Sequence, residues 1–296
     1  MAAFLNPLAI PKGSQPRCEL CGKTARVYCS ICKAVYYCSE EHYDLDHQSI
    51  HSLVCNHLFS LEQTPTDQTI RSEIIETCKR EAMTLLSSHN YSFAIPPSLH
   101  TLNHSVSLHG QTSIHLVPAY LLLAESSIGL ERYGYAKEYL SLASWILMQQ
   151  ETETDQSPES SESNQFSIVI TELRSRIFLL FGRLYFNQNN LSKSSQHFAK
   201  SLYYFSCRFG IDHYLTCLPL YYIGICVGKQ EVFFQRVLEI LNGFLNNSTN
   251  LNLIDIIGET QFSELENALN DICDYYLELN EELHLLSKNL LDLLYQ

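Results

Sequence analysis

From Thr69 onward apolar residues recur at intervals of three and four, the spacing that lines one face of a helix. The pattern predicts a mainly α-helical chain, with glycine and proline placed between helical runs. Ahead of it, Pro7, Pro11, Gly13 and Pro16 make residues 1–17 an extended leader without a regular element. Pro65 predicts a non-helical connector from His57 to Thr69. Within the helical region a motif returns: a small residue, an aromatic or apolar residue nine on, and a position facing the next helix three further. Ala82, Tyr91 and Ala94 fit, as do Ala124, Tyr133 and Ala136, and Gly182, Leu191 and Ser194. Gly224 and Phe233 begin a fourth copy, with Arg236 in the third place. The copies start 42, 58 and 42 residues apart. The long interval contains residues 150–164, which are almost free of apolar side chains and are expected to form a disordered acidic, serine-rich loop. A small residue lets two antiparallel helices approach closely, and the ring fills the space at their turn.

The C-terminal segment has its own pattern. Leu265, Leu269, Ile272, Tyr276, Leu279, Leu283, Leu286, Leu290 and Leu293 alternate spacings of four and three without a break. This is the seam of a paired helix. The further leucines Leu277, Leu285, Leu291 and Leu294 widen the stripe, which favours helices that close off the array over a coiled-coil contact with a partner. The expected organisation is therefore a leader (1–17), a compact segment (18–55), helical repeats (69–248) and acidic C-terminal helices (249–296).

Composition adds limits. Of 296 residues, 46% are hydrophobic, enough for a sizeable core. No apolar run reaches membrane-spanning length and no signal peptide is apparent, so no membrane partner is expected. Net charge is −13, held mostly by residues 151–162 and 249–296. Residues 1–60 carry five basic and five acidic side chains. That segment has no basic face to displace counterions, so nucleic acid is not an expected partner.

Residues 18–55 carry the chemistry. Six of the eleven cysteines fall there, as Cys18-x2-Cys21, Cys29-x2-Cys32, Cys38-x3-His42 and His51-x3-Cys55. Eight ligands suffice for two tetrahedral zinc ions. With six thiolates and two imidazoles no coordination position stays open, so both ions are structural. Spacing alone leaves open which ligands share an ion. His47 and His57 lie nearby but exceed the need, and are expected at the surface. Cys78, Cys207, Cys217, Cys226 and Cys273 stand singly among apolar residues and are expected in the core.

This segment resembles a MYND zinc finger over Cys18, Cys21, Cys29, Cys32, Tyr37-Cys38-Ser39, His51 and Cys55. His42 stands where the family usually has cysteine, and His47 where it favours tryptophan. The resemblance implies interleaved pairing: Cys18, Cys21, Cys38 and His42 on one ion, Cys29, Cys32, His51 and Cys55 on the other. The helical copies resemble tetratricopeptide repeats with long helices, which implies an α-solenoid following the finger. The combination, with Pro7–Gly13, Leu116–Leu130 and Ala136–Leu140, resembles MYND–tetratricopeptide proteins of motile cilia. That resemblance implies a non-catalytic adaptor in the cytoplasm and the axoneme of cilia or flagella. Its implied partners are axonemal, inner-arm dynein subunits and another tetratricopeptide protein. The competing reading is a finger that takes proline-containing peptides along a strand near Ala34 to Tyr37, in a corepressor or signalling complex. No phosphate-binding glycine loop and no nucleophile elbow occurs in the sequence, and no enzyme is expected.

Overall fold

The computed structural model describes residues 2–4, 15–154, 161–247, 259–277 and 279–294. They fall into two compact units, Met1–Glu131 and Arg132–Gln296.

The first unit begins with a three-stranded antiparallel sheet in the order β1 (Ala2–Phe4), β2 (Val27–Cys29), β3 (Tyr36–Tyr37). The leader thus contributes a regular element that its prolines concealed. Ala2, Ala3 and Phe4 stand opposite Cys29, Tyr28 and Val27. The stretch Ala-Ala-Phe lies ahead of the first proline and keeps its N–H donors for the ladder. Residues 5–14 of the leader lie outside the described residues.

Helix α1 (Glu40–Asp46) starts at Ser39, whose side chain accepts from the His42 N–H, with Glu40 and Glu41 in the first turn. A π-helical turn, His47–His51, joins it to α2 (Ser52–Gln63). The expected connector is therefore helical as far as Gln63, and only Thr64–Asp67 turns before α3 (Gln68–Ser87). Leu58 and Leu61 explain this, since both are buried and extend the apolar face of α2 past Cys55. Asp67 caps α3 by accepting from the Thr69 and Ile70 N–H groups. The finger core, including Val27, Val35, Tyr37, Ile50 and Val54, runs without interruption into Ile74 and Cys78 of α3. Helix α4 (Tyr91–His109) packs on α3, on α1 and on the π-turn, and α5 (Val117–Gly129) packs on α4.

Proline does not stay between the helices. Pro96 and Pro97 lie buried inside α4. They withdraw two N–H donors from the helix, while Ser98 and Thr101 add bonds of their own to the Ala94 and Pro97 carbonyls.

The second unit holds α6 (Tyr133–Thr154), α7 (Ser161–Asn187), α8 (Leu191–Phe209), α9 (Cys217–Val227), α10 (Gln230–Asn247), α11 (Glu259–Tyr276) and α12 (Glu281–Leu294). Sequence neighbours α7 and α8, α8 and α9, α9 and α10, and α11 and α12 pack together. The expected loop at 150–164 is shorter than its composition suggests. Helix α6 continues to Thr154 and α7 starts at Ser161, because the glutamates propagate a helix already begun. Residues 155–160 lie outside the described residues. The C-terminal leucine stripe forms two helices, α11 and α12. Asn280 accepts from the Glu282 and Leu283 N–H groups and starts a second helix, so the stripe folds back as a hairpin. Leu265, Leu269, Ile272, Tyr276 and Leu290 enter the core of this unit, while Leu279 is exposed.

The repeat motif is visible in the hairpins, with one correction. Ala82 and Ala94 of the α3–α4 hairpin are fully buried, as are Ala124 in the first unit and Ala136 in the second. Ser194 donates from its hydroxyl to the Gly182 carbonyl at 3.0 Å, and a Cβ on Gly224 would meet the Phe233 Cβ at 2.8 Å. The ring against Gly182 is Phe198, however, and Leu191 at the start of α8 is exposed. The hairpin turns also repeat. The turns between α3 and α4, α7 and α8, and α9 and α10 each carry one left-handed residue, His89, Asn189 and Gly228, and α5 ends on another, Glu131. After α3 and α7 the same two bonds close the helix, Asn90 N–H to Leu85 O with His89 N–H to Leu86 O, and Asn190 N–H to Tyr185 O with Asn189 N–H to Phe186 O. Gly110 and Gly210, both at positive φ, end α4 and α8 and lead into matching single 3₁₀ turns, Ile114–Leu116 and Tyr214–Thr216. No described helix is long and apolar enough to cross a membrane.

Candidate metal centre

The two Cys-x2-Cys turns sit at the ends of the small sheet, and the imidazoles come from the helices that follow. Cys18, Cys21, Cys38 and His42 bring their ligand atoms together in one group, and Cys29, Cys32, His51 and Cys55 in another; within each group all ligand atoms lie within 4.8 Å of one another. In the first group Cys18 Sγ is 3.3 Å from His42 Nδ1, Cys21 Sγ is 3.5 Å from Cys38 Sγ, and Cys38 Sγ is 3.5 Å from His42 Nδ1. In the second, Cys29 Sγ is 3.9 Å from Cys55 Sγ and Cys32 Sγ is 3.7 Å from His51 Nε2. A tetrahedral zinc with bonds of about 2.0–2.3 Å sets ligand atoms about 3.5–3.8 Å apart, so the donor sets fit the ion.

The π-turn places His51 in the second group. It inserts an extra residue into the helical winding, so that His51 and Cys55 converge on Cys29 and Cys32 although α1 has already turned. Every ligand of this group is buried. The first group is more open, with Cys18 buried, Cys21 exposed, and Cys38 and His42 between.

The thiols respond to this packing in opposite directions. Burial pushes Cys18 up to about 11 and Cys32 up to about 12. Cys21 and Cys29 end below the ordinary thiol value, because backbone N–H groups and neighbouring thiols outweigh their burial. Sulfurs this close cannot all ionise unless a cation sits among them, and a divalent ion supplies that charge. Burial holds His51 down to about 4, which keeps the imidazole neutral as a ligand must be.

Behind the second group lies a cluster that the sequence did not disclose. Asp46, at the end of α1, is completely buried. Its carboxylate accepts from the Tyr37 hydroxyl at 2.5 Å and from His100 Nε2, on α4, at 3.0 Å. Burial alone would raise Asp46, but His100, Tyr37 and His51 bring it below the usual carboxylate value. Burial opposes charge on His100, and Asp46 prevails and raises it. The two side chains form a buried hydrogen-bonded pair, and removing one leaves the polar atoms of the other buried without it.

The two surplus histidines differ from each other. His57 is substantially exposed and faces Glu73 at 3.7 Å. His47 is half-buried, not on the surface, with its ring 5.4 Å from Tyr43 and 6.1 Å from His51. Neither joins a metal group among the described residues. Of the solitary cysteines, Cys78 and Cys217 are buried, Cys226 and Cys273 partly so, and Cys207 is exposed, contrary to expectation, on the outward side of α8.

The outer side of β3 is already engaged. The Tyr36 carbonyl points away from β2 and accepts from the Glu19 N–H at 3.0 Å. Below it lies a cavity of about 180 Å³ lined by Glu19, Val35, Arg71, His100, Asn103 and His104. His104 is held down to about 3 by burial, by His100 and by Arg71. A histidine depressed in the folded state binds its proton more readily when unfolded, so its contribution to stability falls as pH drops below about 6.5. Between pH 7 and pH 5 the wild type should therefore lose about 2 kcal/mol of unfolding free energy relative to His104→Gln. Urea unfolding of the two proteins at both pH values, followed by circular dichroism, measures the difference. Parallel losses would place the proton elsewhere.

The family model of the MYND finger matches residues 18–55. The segment is a MYND finger with two Cys3His sites for two structural zinc ions, followed by a helical repeat-like array. A finger of this family serves protein–protein contact, which makes the chain a zinc-binding protein-interaction adaptor.

Proposed function

We propose that the chain is a non-catalytic adaptor of motile cilia or flagella, and that it joins inner-arm axonemal dynein subunits to another tetratricopeptide protein. The observation that carries the adaptor part is the continuity of the finger core with α3, through Ile74 and Cys78. A zinc-knit finger whose core continues into the helices of its own unit is suited to presenting a fixed surface to partners. The ciliary part rests on the resemblance of Pro7–Gly13, Leu116–Leu130 and Ala136–Leu140 to MYND–tetratricopeptide proteins of cilia. Ligand sets supplied entirely by protein side chains support a structural over a catalytic use of zinc. The bond from Glu19 to Tyr36, on the strand that a proline-containing peptide would need, favours the adaptor over the peptide-reading alternative.

Affinity purification of the tagged full-length chain from ciliated cells, with partners identified by mass spectrometry, tests the reading. Dynein subunits together with a second repeat protein are the expected yield. Corepressors without dynein would replace this reading with the peptide-reading one.

A further inference from the structure

Asp46 stands between the second metal group and helix α4. On one side, His51 Nδ1 is buried without a hydrogen-bond partner and lies 3.9 Å from Asp46 Oδ2. The other His51 nitrogen, Nε2, faces Cys32 Sγ. An imidazole that gives Nε2 to a metal carries its proton on Nδ1, and that proton points at Asp46. On the far side, Asp46 Oδ1 is held by His100 Nε2 at 3.0 Å, and Oδ2 by the Tyr37 hydroxyl at 2.5 Å. Two hydrogen bonds fix the carboxylate, from β3 and α4, and the His51 ring of the π-turn faces it at 3.9 Å. A metal-bound histidine that donates its second N–H to a fixed carboxylate is held in one tautomer and one ring orientation.

We infer that Asp46 is a positioning residue for the second zinc and that His100 sets Asp46, so that zinc at this site and the docking of α4 on the finger are one linked equilibrium. This rests on the zinc-finger assignment and adds what that assignment does not contain: a contact from outside residues 18–55 that governs one ion and not the other. Linkage is reciprocal. Zinc at the second site tightens the seat of α4, and whatever pulls α4 away loosens that zinc. The first group has a different geometry, binding through His42 Nδ1, and its ion should not respond to His100.

The test uses the full chain loaded with zinc. Wild type, His100→Phe, His100→Gln and Thr101→Val are challenged with a chelator and with N-ethylmaleimide, and labelled cysteines are located by peptide mass spectrometry. In His100→Phe, label should reach Cys29, Cys32 and Cys55 at least about 10-fold faster than in wild type, with Cys18, Cys21 and Cys38 unchanged. His100→Gln keeps an N–H donor near the Nε2 position and should restore most of the protection. Thr101 donates within α4, to the Pro97 carbonyl, so Thr101→Val perturbs the helix without touching Asp46 and should leave the second group as in wild type. Equal acceleration of both groups, no acceleration, or acceleration by Thr101→Val as large as by His100→Phe overturns the inference. If His100→Phe does not fold, Asp46→Asn is read in its place. Faster labelling confined to Cys29, Cys32 and Cys55 supports the inference, and any other pattern overturns it.

Discussion

Replacing Cys29 with serine will release one zinc and unsettle much more than the finger. Cys29 is a buried ligand of the second group and a residue of β2, opposite Ala2. A structural zinc contributes on the order of 10 kcal/mol to a small zinc-bound domain, comparable to the whole stability of many domains. The spacing of the ligands by itself predicts that the finger unfolds and the helices remain. The structure changes that expectation, because Ile74 and Cys78 of α3 share the finger core and His100 of α4 is paired with Asp46. Zinc analysis should show the content falling from two ions to one. Hydrogen exchange should show lost protection in α3 and α4, with α7–α10 protected as in wild type, since that unit has its own core. Wild-type protection in α3 and α4 would mean that finger and hairpin fold separately.

The second large effect is expected at Phe198. Its ring is fully buried, lies parallel to Tyr222 at 4.7 Å between centroids, and fills the space above Gly182. Truncation to alanine leaves a cavity and should cost about 3–5 kcal/mol. A Cβ on Gly182 would come within 2.5 Å of the same ring, so Gly182→Ala should cost about 1–3 kcal/mol by overpacking. The two share one volume, so they should not add: with alanine at 198, the methyl at 182 should be close to neutral. Denaturant titration of the two single variants and the double variant completes the cycle. An undiminished cost for Gly182→Ala in the Phe198→Ala background would show that the ring and the glycine do not compete for that space.

What the sequence disclosed and what it hid follow from range. The eight ligands are legible because each pair lies within one turn of chain. The helical class is legible because periodicity is local, and Ala82, Ala94 and Gly182 stand out because small residues are rare at the centre of an apolar face. Asp46 and His100 carry no such signal, since they meet across 54 positions and neither belongs to a spaced motif. The turns after α3 and α7, and the end of α5, use His89, Asn189 and Glu131 at positive φ, where glycine would have announced a helix end. The spacing points to Leu191 as the partner of Gly182, whereas Phe198 fills that place, because regular spacing does not report which ring a helix crossing selects. The leucine stripe is legible as closing helices, but the point where it folds back is not, because its period survives the break at Asn280, which an asparagine cap marks only faintly.

The small sheet also bears on how this protein should be dissected in the laboratory. A fragment cut to residues 18–55 keeps every ligand but discards Ala2–Phe4, leaving the hydrogen-bonding row of Val27–Cys29 bare along one side. It discards as well the α3 side chains that cover the interior. An exposed strand row of this kind recruits any extended chain at hand. Peptide affinity measured on such a fragment would describe a surface created by the scissors, and sticky or oligomeric behaviour would have the same origin. Binding studies on the finger therefore belong on a chain that retains the first strand and continues through α4.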